Sequence, residues 1–172
     1  MRLDDDDFTL FGLPPKQAQD RAAIDARWRA LQAEVHPDRF AAEGAAAQRV
    51  AMQWAVRVNE AYRRLKDPLA RATLLCQLRG VPVRAEDNTA MPGDFLLQQM
   101  AWREALDDAE TQAAVQALEA DVRADESRRF AAVASALDEH DDPAAAAQQV
   151  RALMFLARIR AELTRRLDAY PD

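Results

Sequence analysis

Apolar positions recur at intervals of three and four along nearly the whole chain, the spacing of helices that bury one face. Ile24, Trp28, Leu31 and Val35 form one stripe, and Asp20 is placed to cap it, so a helix is predicted from about Asp20 to Val35. Val50, Trp54, Val58, Ala61 and Leu65 form the buried stripe of a second helix, predicted from about Ala42 to Lys66 and ended by Asp67-Pro68. Ahead of both, Phe8, Leu10, Phe11 and Leu13 make a brief helix or turn that Pro14-Pro15 halts. Behind them, Leu69, Leu74, Leu75 and Leu78 predict a shorter helix, with Gly80 as its left-handed cap. No stretch alternates apolar and polar residues between turn signals, so the predicted class is all-α.

The helical pattern breaks between Gly80 and Gly93, where Pro82, Pro92 and several polar residues gather. A domain boundary is placed there: residues 1–79 form a first domain, 80–93 a linker and 94–172 a second domain. Three further helices are predicted, from about Asp94 to Asp108, Thr111 to Glu139 and Pro143 to Tyr170, making a three-helix bundle. Val115, Leu118, Val122, Phe130, Val133 and Leu137 supply the apolar face of the middle one. Asp141-Asp142-Pro143 is a turn with proline at the first helical position.

On the Asp94 helix, Phe95, Trp102 and Leu106 point one way and are assigned to the core, at about 100° per residue. Leu96, Leu97 and Met100 point elsewhere, and their face carries Glu104 with Asp108 close by. On the last helix Leu153, Leu156, Leu163 and Leu167 define the buried stripe, which leaves Phe155 at or near the surface. Two explanations of the second apolar face stay open at this point: packing against the first domain, or contact with a partner.

Composition narrows the function. The 172 residues include only four glycines, and no Gly-rich phosphate loop is present. A net charge of -6 disfavours nucleic acid as the main partner, because phosphate binding requires a basic face. The single cysteine, Cys76, excludes an internal disulfide and lies in an apolar run as a small core residue. The run Asp4 to Asp7 is expected to be a solvated tail. With no signal-peptide pattern and no apolar run of about 18 residues, a soluble cytoplasmic protein is expected.

Between the first two long helices stands His36-Pro37-Asp38. Pro37 prevents an undistorted helix from continuing, so an imidazole and a carboxylate are presented at a hairpin tip. Catalysis there is poorly supported, since the motif lacks a nucleophile and an acidic cluster for a metal. His140 with Asp141 and Asp142 supplies too few directed ligands for a metal site. Two readings remain: a preorganised contact surface, or a helix break in which Asp38 merely caps the next helix.

The same hairpin continues through Arg39-Phe40 into NEAYRRLKDPLARATLL at residues 59–75, and it resembles a J-domain of the DnaJ class. Beyond it, DFLLQQMAWREALDD and the closing helices resemble the C-terminal half of the HscB family, the J-proteins of iron-sulfur cluster biogenesis. The likeness spans nearly the whole chain. It implies a co-chaperone without enzymatic activity or cofactor of its own, which stimulates the ATPase of the DnaK-class chaperone HscA and brings it the cluster scaffold IscU. His36, Pro37 and Asp38 are then the stimulating residues, with Arg27 and Arg29 as supporting contacts. Leu96, Leu97, Met100, Glu104, Asp108 and Phe155 become the scaffold contacts. The sequence departs from the pattern at Ala33 and Glu34, where many J-domains are more basic. It also lacks the cysteine-containing N-terminal metal module of some eukaryotic relatives, so no zinc is carried over. A J-protein with general unfolded clients is the alternative.

Overall fold

The computed structural model describes residues 2–170. Among them the architecture is all-helical: α1 (Asp7–Phe11), α2 (Arg21–Val35), a 3-10 turn (Pro37–Glu43), α3 (Ala45–Lys66), α4 (Pro68–Leu78), α5 (Gly93–Asp108), α6 (Gln112–Ala134), a π turn (Ser135–Glu139) and α7 (Pro143–Leu167). The chain forms two compact units, residues 1–75 and 76–172, and the division falls within α4.

In the first unit α2 and α3 form the hairpin. Asp20 caps α2 by accepting from the Ala22 N–H at 2.9 Å, and Ile24, Leu31 and Val35 are buried. Trp28 lies flat on Tyr62 with ring centroids 4.7 Å apart and donates its indole N–H to Asn59 Oδ1 at 3.0 Å. It packs the two arms together and meets its one polar need. Asp6 caps α1, accepting from the Phe8 and Thr9 N–H groups at 2.9 and 3.0 Å.

Three expectations about this unit are corrected. Asp7 belongs to no solvated tail: it is 2% exposed and pairs with Arg57 at 2.7 Å and with Arg64 at 2.6 Å. The two guanidiniums compensate a charge that Phe8 and Phe11 carry inward with α1. α3 begins at Ala45, because Gly44 adopts φ 92 and ψ 172, a conformation all but closed to residues with a Cβ. Its buried seam runs through Ala51, Val58, Ala61 and Leu65, while Val50 is 51% exposed. On an ideal helix Val50 falls about 80° from Val58, at the margin of the seam.

In the second unit α6 and α7 form the main helix pair, lined by Val115, Leu118, Val122, Val133 and Leu137 against Ala146, Val150, Leu153, Leu156 and Leu163. Phe130 and Leu167, both assigned to buried stripes, are half-buried. Phe95, Trp102 and Leu106 of α5 are buried, as is Cys76. Gly80, at φ 78, closes α4 in the left-handed conformation. The stretch 80–92 has no helix, since Gly93 already opens α5, yet it is fastened to α7: buried Arg151 donates to the carbonyls of Val83 (3.0 Å) and Ala90. Asp142 caps α7 through the Ala145 N–H at 2.9 Å, with Pro143 in the first turn.

Candidate partner-binding sites

At the hairpin tip, the residue before a proline is driven out of helical backbone, and His36 takes φ -61 and ψ 126. α2 therefore stops, and Pro37 starts the 3-10 turn with a φ its ring already favours. His36 Nδ1 accepts the Asp38 N–H at 3.3 Å and stands 3.6 Å from Asp38 Oδ2. In the neutral ring this leaves the proton on Nε2. The His36 and Asp38 side chains are 55% and 91% exposed, and Arg39 braces the turn by donating to the Ala33 carbonyl at 3.0 Å. Asp38 does not cap the next helix: Gly44 holds that position, with no side-chain cap. The tripeptide is a braced, exposed surface loop.

Arg27 and Arg29, the arginines expected to support the loop, are both exposed, and they differ in what they hold. Arg27 donates its Nε–H to the Phe11 carbonyl at 2.7 Å, which ties α2 to the end of α1, whereas Arg29 acts on Asp25 through its charge. Hydrogen bonding from the Arg21 guanidinium, and then from the Tyr62 hydroxyl, holds the Asp25 carboxyl below the usual carboxylate range. Sequence reasoning missed an apolar cleft of about 440 Å³ beside the loop, bordered by Val35, Phe40, Val50, Ala51 and Trp54. Its only sequence signal is the pair Val50 and Trp54, and periodicity assigns both to the core.

On α5, Leu96, Leu97 and Met100 are 42%, 73% and 68% exposed, opposite the buried Phe95, Trp102 and Leu106. Glu104 and Asp108 are exposed on the Leu97 side. Phe155 is half-buried, its ring meeting Phe95 edge to face at 5.7 Å. The first turn of α5 is held by a buried ionic group that the apolar pattern of α6 did not reveal. Arg129 pairs with Asp125 at 2.6 Å and with Asp94 at 3.2 Å, and it lies over the Phe95 ring at 4.4 Å. The Asp125 and Arg129 spacing of four is its sequence trace, hidden because such pairs are common on exposed faces. The three exposed apolar side chains thus stand on an anchored helix. Among the described residues no group of three His, Cys, Asp or Glu side chains is placed to hold a metal, and His140 Nδ1 lies 3.1 Å from the Ser135 carbonyl oxygen.

A loop of this kind on a helical hairpin, joined in one chain to a helical bundle with an exposed apolar face, is the arrangement of a J-type co-chaperone. Residues 91–164 match the family profile described as the HSCB C-terminal oligomerisation domain. The co-chaperone protein HscB homolog of Cupriavidus taiwanensis is 49% identical over 174 residues, covering 99% of this chain and 98% of the relative. Among solved structures, chaperone HscB from Vibrio cholerae superposes with a TM-score of 0.86 at 36% identity, covering 95% of this chain and 98% of that one. Human co-chaperone protein HscB gives 0.88 at 27% identity, with 96% and 84% covered. The chain belongs to the HscB family of co-chaperones. Among the described residues no helix is long and apolar enough to cross a membrane.

Proposed function

We propose that the chain is a two-site adaptor that brings the iron-sulfur scaffold IscU to the DnaK-class chaperone HscA and triggers ATP hydrolysis there. His36, Pro37 and Asp38 engage the chaperone, with Arg29 as an additional contact and Arg27 holding α2 in place while offering its remaining N–H groups. Leu96, Leu97, Met100 and Phe155 receive the scaffold, and Glu104 with Asp108 steer its basic groups. The chemistry takes place in the chaperone, and this chain contributes no reacting group.

The observation that carries the reading is the exposed trio on α5, in a chain half identical to HscB homologs over its whole length. Fully burying Leu97 and Met100, and Leu96 in part, contributes on the order of 4 to 7 kcal/mol against an association cost of roughly 4 to 15 kcal/mol. A contact of micromolar strength or weaker follows, as suits a carrier that must release its cargo.

The test is the steady-state ATPase rate of HscA with IscU and either the natural chain or His36→Gln. Glutamine keeps a polar side chain but lacks the imidazole that caps the turn. Stimulation should fall to near the basal rate, and full stimulation by His36→Gln would refute the assignment of the loop.

A further inference from the structure

Arg151 of α7 is 7% exposed, and the acceptors of its guanidinium are the carbonyls of Val83 and Ala90. Both are neutral. Arg129, the other buried arginine of the bundle described above, has two carboxylates. A guanidinium carries five N–H donors, so two carbonyls leave part of Arg151 available. Its burial, against the smaller opposing field of Cys76, lowers its pKa, as happens when a cation lacks a counter-charge.

Arg151 borders a cavity of about 250 Å³ that Asn88, Thr89, Gln99, Phe155 and Arg158 also line, and no acidic side chain lines it. Two arginines and three neutral polar residues therefore border a space with room for a side-chain terminus. Arg123, Arg128 and Arg129 of α6 and Arg160 of α7, by contrast, are ion-paired.

The cavity adjoins the exposed face of α5. Gln99 stands three residues from Leu96 and next to Met100, and Phe155 joins the cavity wall to Phe95. On an ideal helix Gln99 lies about 60° to one side of Leu96, while Glu104 and Asp108 lie about 80° and 120° to the other. Carboxylates thus stand beside Leu97, at the end of the apolar trio away from the cationic pocket, which lies beside Leu96.

We propose that this pocket receives an aspartate or glutamate side chain of the scaffold protein seated on Leu96, Leu97 and Met100, with Arg158 at its mouth and Arg151 in its wall. The proposal rests on the assignment of α5 as the scaffold face. A carboxylate there gains charge-assisted, bidentate hydrogen bonds and gives Arg151 its missing counter-charge. It also fixes the direction in which the scaffold lies across α5, because the reverse orientation sets like charges together at both edges.

The experiment is calorimetric titration of IscU into the full chain at low and high salt. Arg158→Glu is the main variant, since Arg158 is exposed and its replacement leaves the core intact. Lys16→Glu, an exposed change of equal net charge in the other unit, is the control. Arg158→Glu should weaken binding by about tenfold or more and flatten its salt dependence, with Lys16→Glu close to the natural chain. If Arg158→Glu matches Lys16→Glu while Leu97→Ala with Met100→Ala loses binding, the pocket is overturned and the scaffold face stands. If the Leu97 and Met100 double variant binds like the natural chain, the scaffold face itself fails and the pocket proposal falls with it.

Discussion

Asp7 is the last of four consecutive aspartates, and it alone of the four is buried. Nothing local distinguishes it from Asp4, Asp5 or Asp6. Its two partners, Arg57 and Arg64, are 50 and 57 positions further along, so only the folded hairpin separates this buried carboxylate from its neighbours. Cys76 was legible, because a small residue inside an apolar run is a core residue. Burial is the main cause that pushes its thiol up from 9.0 to about 11, against the opposing fields of Arg79 and then Arg151. A folded value above the unfolded one means that the group's contribution to stability is complete below about pH 9 and is lost as pH rises toward 11. A rise of that size lowers the thiolate fraction about a hundredfold near pH 8. Iodoacetamide at pH 8 should therefore label the native chain at least about a hundredfold more slowly than the chain in urea. Equal rates in mass-spectrometric time courses would show the thiol to be accessible and unshifted.

At the scale of elements, α2 was legible down to its cap because Asp20, the stripe of Ile24, Leu31 and Val35, and Pro37 all lie within one short segment. The start of α3 was not. Alanines follow Gly44 and precede it, and helix propensity alone runs through the glycine; its backbone conformation is settled by the 3-10 turn that carries Pro37 and Asp38. A methyl group at Gly44 meets nothing within 4 Å, so strain in the backbone is its sole penalty. Gly44→Ala should destabilise the first unit by about 1 to 3 kcal/mol in urea unfolding. An unchanged midpoint would mean that the turn relaxes into continuous helix without loss. α5 illustrates the complementary case. Its weakly one-sided pattern, with leucines on two faces, correctly assigned Phe95, Trp102 and Leu106 to the core. Its attachment through Arg129 to Asp94 depends on side chains 35 residues apart.

At the scale of the whole molecule, the two proposed sites lie in separate compact units and share no residue. Variants at one should leave the other's binding within about twofold, as for independent sites. His36→Gln should keep IscU affinity in calorimetry while losing stimulation of HscA. Leu97→Ala with Met100→Ala should lose IscU yet still stimulate HscA in its absence, with little change in thermal midpoint because both side chains are about 70% exposed. Loss of both activities in either variant would contradict separate roles. Phe155→Ala is a less discriminating choice, since that ring packs on buried Phe95 and its removal also weakens the bundle.

The sequence alone determined the all-helical class, most helix limits, the break after Gly80 and the exposed tripeptide, because periodicity, caps and proline act over a few residues. Its likeness to the HscB family pointed to the sites. Tertiary structure decided which apolar side chains remained uncovered, so Val50 proved exposed where Ala51 is buried. It also decided which charges entered the interior: Asp7, Arg71, Asp125, Arg129 and Arg151. Asp125 and Arg129 pair within one helix, but the burial of that pair and the partners of Asp7 and Arg151 depend on groups supplied from distant positions. For Arg151 the fold supplies only neutral carbonyls, and that is why the pocket beside α5 became visible only in three dimensions.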